Sequence, residues 1–220
     1  MIVLGLDPSL RQFGWALHDT EADGKDRCIE RGRFKTSSKD LFINRYTSMR
    51  SSLRLLIQTH QPDKIGIESP VFNDLWSEGM YGLFLYCNEA LYLERKDVVF
   101  LSPGQVKSAA RSLISRPKGW KMGKPDMVEA AKADTGGKGR WNHNEADAYL
   151  VARQAARFWQ LIEGQIQEGD LTEVERSQFL KIHTYVRGKR AGETVKKGIY
   201  HREEDRFFLW SKLNTELESP

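Results

Sequence analysis

The chain has only two cysteines, Cys28 and Cys87, in 220 residues. Neither has CxxC spacing or a histidine close by, and each sits among apolar neighbours. That excludes a disulfide scaffold and a zinc site and predicts buried free thiols in a reducing compartment. No apolar run approaches the roughly 20 residues that a bilayer-spanning helix needs, so no membrane partner is expected. The N-terminus reads as a strand and lacks the charged segment that opens a signal peptide. The expected location is therefore cytoplasmic. Internal repeats and low-complexity tracts are absent. No charge sign is in large excess either: 34 Lys and Arg against 30 Asp and Glu leave +4, a mild lean toward a polyanionic partner.

What is present is the profile of a globular protein, with 40% apolar and 29% charged residues, enough for one good core and a small second lobe. Ile2 to Leu6 is an apolar run ending at Asp7-Pro8-Ser9, a buried strand entering a turn. Gly14 to His18 and Cys28 to Thr36 read as two further strands of a meander. Asp40 to Thr59 repeats apolar residues in steps of four and three, one helix face. Lys64 to Glu68 is a strand closed by Ser69-Pro70. Leu75 to Glu94 is a very apolar helix, and Val98 to Leu101 is a fifth strand. Ser102-Pro103-Gly104-Gln105 has the N-cap serine, first-turn proline and third-position glutamine of a capping box. Pro125 starts another helix that Gly136-Gly137 ends, and a last core helix covers Asn142 to Trp159. The expected fold is α/β: a mixed five-stranded sheet flanked by helices over residues 1–163. Residues 164–220 follow as a helical and basic appendage, with helices expected over Glu173 to Ile182 and Glu203 to Leu213.

Asp7 and Glu68 each close an apolar strand, and an acidic residue there is costly unless something neutralises it. Taken alone, each equally well starts a turn. In sheets of this order the first and fourth strands are commonly neighbours, and ligand sites gather at such strand ends. On the last core helix, His143 and Asn144 share a face with Asp147, while Glu145 points elsewhere. Ala146 and Ala148 would let that helix lie close to the sheet. Oxygen ligands of this kind suit Mg²⁺ or Mn²⁺, two of which can support phosphodiester hydrolysis.

These residues resemble a known family. Gly5-Leu6-Asp7-Pro8-Ser9 with Gly14-Trp15-Ala16, then Ile67-Glu68-Ser69-Pro70-Val71-Phe72, are similar to the first two motifs of RuvC-type Holliday junction resolvases. Ser102 to Lys107, with Gly123-Lys124 to Val128, resembles the third, and His143 to Ala148 the fourth, as phage-like members write it. The resemblance implies a ribonuclease-H-type fold, a homodimer, two Mg²⁺ (or Mn²⁺) ions per site and paired nicks across a four-way junction. It places Asp7, Glu68 and Asp147 on metal carboxylates and Lys107 and Lys124 on lysines facing the scissile phosphates. The fourth acidic position falls on Asn144, whose carbonyl can ligate, with His143 as the alternative ligand. It also implies an aromatic, Phe72 or Trp76, that stacks on unpaired bases at the junction centre.

Lys107, Arg111, Arg116, Lys118, Lys121 and Lys124 fall within eighteen residues, with Trp120 among them, a stripe suited to phosphates. Arg187, Lys189 and Arg190, with Tyr185, Lys196, Lys197, Tyr200, His201 and Arg202 around them, form a second basic and aromatic cluster. Other readings stay open: a nuclease for flaps or forks, a catalytically dead junction-binding module, and an actin-like ATPase, which shares the Gly-x-Asp opening. The second phosphate loop and glycine-rich adenosine site of the last are not visible, and no organic cofactor is expected.

Overall fold

The computed structural model describes residues 1–70, 78–117, 119–137, 139–180, 182–196, 198–204 and 206–210, without the side chains of Asp26, Ile182, His183, Val195 and Lys196. Phe72, Trp76, Lys118, Lys197 and the ends of two expected helices (75–77 and 211–213) lie outside the described residues. The strands are β1 (Ile2–Asp7), β2 (Gln12–Asp19), β3 (Cys28–Lys35), β4 (Lys64–Glu68), β5 (Val98–Leu101), β6 (Ile182–Thr184), β7 (Thr194–Lys196), β8 (Ile199–Glu203) and β9 (Arg206–Trp210). The helices are α1 (Phe42–His60), α2 (Glu78–Leu93), α3 (Pro103–Leu113), α4 (Lys124–Asp134), α5 (His143–Ile162) and α6 (Glu173–Phe179).

Seven strands form one mixed sheet in the order β3-β2-β1-β4-β5-β8-β9. β1, β4 and β5 run parallel, and β2, β3, β8 and β9 pair antiparallel. Alternate residues of a strand face opposite sides, and β1 divides its side chains accordingly. Leu4 and Leu6 enter the core under α1 and α2, with Phe13, Trp15, Leu17, Ile65 and Ile67. Val3 enters the opposite core with Ala16, Val99 and the buried face of α5. A helix apolar on most sides is buried on most sides, and α5 is that helix: Tyr149, Phe158 and Trp159 are fully buried along it. The capping box at α3 forms as expected, with Ser102 Oγ accepting from the Gln105 N–H and Gln105 Oε1 accepting from the Ser102 N–H.

The five-strand expectation is corrected by β8 and β9, and the second expected helix of the appendage by β9, a strand where helix was read. α6 also stops at Phe179 rather than Ile182. The cause is burial hidden under a basic sequence. Ile199 and His201 alternate inward, and His201 packs edge-on against Phe158 and Trp159 and stacks on Phe208 at 5.2 Å. Burial holds its pKa down at about 4, so the ring is neutral and acts as core. Arg202 is buried and donates to the Lys96 carbonyl. Leu171, Phe179 and Ile199 join the α5-side core. β6 and β7 form a separate two-stranded hairpin. Cys87 is a fully buried free thiol as expected, whereas Cys28 is only half-buried. No helix among the described residues is long and apolar enough to cross a membrane.

Candidate metal centre

β1 and β4 lie side by side with Leu6 opposite Ile67, so Asp7 and Glu68 emerge together at the carboxyl ends of parallel strands. Both face α5. Asp7 follows Gly5 by two residues and Glu68 follows Gly66 by two, and each glycine lies directly beneath the helix. A Cβ on Gly5 would stand 2.0 Å from the Ala148 carbonyl oxygen, and one on Gly66 would stand 2.4 Å from the Ala155 Cβ. On β2, a Cβ on Gly14 would stand 2.1 Å from the Asn144 carbonyl oxygen. Three neighbouring strands thus lack side chains along one oblique line, and α5 sinks into that trough. Its first turns carry Asp147 down to the two strand-end carboxylates.

The three carboxyls are crowded and partly dehydrated. Burial, then the charges of Glu68 and Asp147, hold the Asp7 pKa well above the carboxylate range. Burial and Asp147 raise Glu68 to about 7, and burial raises Asp147 to about 6. Lys107 from α3 and Lys124 from the start of α4 act the other way on this group. Asp147 Oδ1 is buried and accepts no hydrogen bond from any described residue. An orphaned carboxylate oxygen amid like charges is the condition a bound cation relieves, and an all-oxygen donor set fits a hard divalent ion. Among the described residues no three acidic, histidine or cysteine side chains already close on one point.

The rest of the helix N-terminus is tightly organised. Asn142 caps it, with Oδ1 accepting from the Asn144 N–H. Glu145 turns away as expected and pairs with Arg31 and Arg33 on β3, at 3.4 and 3.1 Å. His143 Nε2 lies 3.2 Å from Lys124 Nζ. A lysine ammonium only donates, so Nε2 accepts and the ring is neutral. Burial, Lys124 and Arg33 all lower its pKa. Asn144 donates through Nδ2 to Gln12 Oε1 at 3.3 Å. Sequence reading missed Gln12 and Arg33 entirely.

Of the basic stripe, Lys107, Lys121 and Lys124 are exposed, and Trp120 is 47% exposed. Arg111 is half-buried, and its Nε has no hydrogen-bond partner among the described residues. Arg116 is bound to Asp126 and Glu129 and lies over Trp120, so it ties the α3–α4 connection to α4. In the β6–β7 hairpin, Arg187 and Lys189 are exposed, while Arg190 is clamped by Glu193 and lies over Tyr185.

A family model described as crossover junction endodeoxyribonuclease RuvC matches residues 3–111. The RuvC of Rickettsia felis is 31% identical over 151 residues, which is 68% of this chain and 79% of that one. The chain belongs to the RuvC family. A second RuvC, from Rickettsia typhi, is 41% identical over 73 residues, 33% of this chain and 46% of the relative's length. The solved structure of Thermus thermophilus RuvC superposes with a TM-score of 0.61 at 19% identity, covering 73% of this chain and 96% of that one. A structure of the same RuvC in complex with Holliday junction substrate gives the same TM-score at 17% identity. At these identities the two structures establish the shared fold. The first two RuvC-like motifs and the Ser102–Lys107 segment lie inside the family match. The α5 residues that complete the carboxylate group lie beyond it.

Proposed function

We propose that this RuvC-family chain is a metal-dependent endonuclease that resolves Holliday junctions by paired nicks, acting as a homodimer in the cytoplasm of a prokaryotic or phage-infected cell. The observation that carries this is the convergence of three carboxyls with raised pKa values, Asp7, Glu68 and Asp147, facing Lys107 and Lys124. Asp7, Glu68, Asp147 and the carbonyl oxygen of Asn144 would hold two Mg²⁺ or Mn²⁺ ions. When bound, such ions supply an activated water and charge stabilisation at the leaving oxygen. Lys107 and Lys124 bind and orient the scissile phosphate. His143 is assigned to holding Lys124 rather than metal, because its Nε2 already accepts from that lysine.

The DNA surface runs from Lys107, Arg111, Lys121 and Lys124 past Trp120; Lys118 and Phe72, the other candidates for DNA contact, lie outside the described residues. Arg187, Lys189 and Arg190 offer a second, outlying contact. Arg116 contributes by holding the stripe in place. Residues 164–220 extend the nuclease part and add this contact. A cleft of about 1010 Å³ opens beside Glu68 at Ser69 and Pro70 and runs past Phe100, Tyr200 and Phe207. For the dimer, α2 leaves Tyr81, Leu85 and Tyr92 about half exposed, an apolar helix face suited to its own two-fold mate.

Labelled four-way junctions, flaps and forks incubated with Mg²⁺ or with EDTA test the reading. Symmetric nicks in the junction are expected with Mg²⁺ only, and Asp7→Asn should bind but not cut. Metal-independent cleavage, or more than a few per cent of wild-type nicking by Asp7→Asn, would overturn it. Preferential cutting of flaps or forks would overturn the junction assignment alone.

A further inference from the structure

Asn144 stands at the position where the family pattern offers an acid. Either oxygen of a carboxylate can face a metal. A carboxamide has one oxygen and one NH₂, and only the oxygen can ligate. Presented the wrong way round, Asn144 would aim two N–H donors at the cations. Something has to fix the orientation of that amide.

The neighbouring hydrogen bonds do so by a chain of one-way choices. Glu145 grips Arg33 at Nε, 3.1 Å away. Arg33 NH1 then donates to Gln12 Oε1 at 2.7 Å. A guanidinium has donors only, so the end of Gln12 facing Arg33 must be its oxygen. That same oxygen lies 3.3 Å from the side-chain amide of Asn144, and it can only accept. Asn144 must therefore present its NH₂ to Gln12, which turns Oδ1 away. No described residue donates to that oxygen. The register places the parts together: Arg33 pairs with Gly14 across β2 and β3, and the absent Gly14 side chain is what lets Asn144 reach β2.

We infer that Arg33 and Gln12 are positioning residues that lock the Asn144 carboxamide with its carbonyl oxygen toward the metal. This rests on the metal-site reading above. It makes the fourth ligand a neutral oxygen of fixed orientation, held by a positive charge two hydrogen bonds away. Asn144→Asp should make the lock dispensable, because a carboxylate offers oxygen from either end.

The test is Mn²⁺ binding to the DNA-free protein, followed by the electron paramagnetic resonance signal of free Mn²⁺. Partners that orient metal ligands typically change affinity roughly 10- to 100-fold. Gln12→Met, which has no strong acceptor, should weaken Mn²⁺ binding about 10-fold or more. Gln12→Glu keeps an acceptor facing both Arg33 and Asn144 and should bind at least as well as wild type. In the Asn144→Asp background, Gln12→Met should change affinity less than about twofold. Wild-type affinity in Gln12→Met would overturn the lock, and so would an undiminished loss in the Asn144→Asp background. Should Gln12→Met fail to fold, Arg33→Gln, which removes the obligate donor, replaces it with the same expectations. Asp7→Asn serves as the control for the underlying reading. If it leaves Mn²⁺ affinity unchanged, the metal centre is wrong and the lock falls with it. If only the Gln12 results fail, the metal centre stands.

Discussion

Replacing Gly5 with alanine adds one methyl group at the tightest point of the trough. That Cβ would meet the Ala148 carbonyl oxygen at 2.0 Å, the Ala152 nitrogen at 2.4 Å and the Ala152 Cβ at 2.7 Å. The first two are backbone atoms of α5, so no side chain can rotate out of the way. The helix has to lift by about 1 Å or more to restore ordinary contact, which for carbon is about 3.5 Å or more. Overpacking of this kind costs about 1–3 kcal/mol, and with only backbone to move the upper end applies. For a chain of this size that corresponds to a fall of roughly 6–12 °C in melting temperature. Asp147 rides on the same helix, one residue from Ala148, so its carboxylate moves away from Asp7. A misplacement of about 1 Å costs roughly 100-fold in rate. The assay pairs a thermal melt with single-turnover junction cleavage in Mg²⁺. Gly104→Ala is the control, since its new Cβ meets only Ser102 Oγ at 3.9 Å and the helix gains about 0.5–1 kcal/mol. If Gly5→Ala melts within 1–2 °C of wild type (about 0.5 kcal/mol) and cleaves within about twofold, the close approach of α5 does not set the site.

Without metal, Asp7→Asn should stabilise the fold by about 1–2 kcal/mol in urea unfolding, because it removes a buried charge pressed by two like charges; equal or lower stability would mean the crowding is already relieved. His18 and His201 are both held near pKa 4 by burial, against an ordinary 6.5. The unfolded chain therefore binds more protons between those values, and stability should fall as pH drops from about 6.5 to 4, by up to about 3 kcal/mol per histidine. His201→Phe should flatten that fall, and an unchanged pH slope would remove His201 from it. Replacing residues 185–192 with a two-residue turn should weaken junction binding and lower the slope of log affinity against log salt by about 3, for Arg187, Lys189 and Arg190; an identical slope would take the hairpin out of the interface. A deletion through residue 202 would not be equivalent, because it would remove β8. Leu85→Glu on the half-exposed face of α2 should halve the mass seen by light scattering at micromolar concentration, and an unchanged mass would place the dimer contact elsewhere.

Much of the site was legible because it follows from strand ends and helix spacing. Asp7, Glu68 and Asp147 close or open regular elements, and their periodicity was plain. The trough was legible too, though it went unread: Gly5-Leu6-Asp7 and Gly66-Ile67-Glu68 both place a glycine two residues before the acid, on the same strand face. Gln12 was not legible. Its partner Asn144 is 132 residues away, and no local pattern marks a glutamine at a strand start. β8 was hidden because Tyr200-His201-Arg202 reads as charged surface. His201 loses its charge on burial and Arg202 keeps its polar end on a backbone carbonyl, and neither outcome is visible in composition.

β8 also determines where the molecule is sticky. β5 is Val98-Val99-Phe100-Leu101, four residues without a charge, and β8 occupies the side that β4 leaves open. A chain cut after residue 163 would keep Asp7, Glu68 and Asp147 together with Lys107 and Lys124. It would also bare a row of unpaired N–H and C=O groups on a short apolar strand, a template for edge-to-edge pairing between molecules. It would uncover the faces of Phe158 and Trp159 that His201 now covers. The minimal catalytic piece is thus not the minimal soluble piece. Shortened versions made for screening should precipitate on expression unless β5 is given a lysine or a substitute strand.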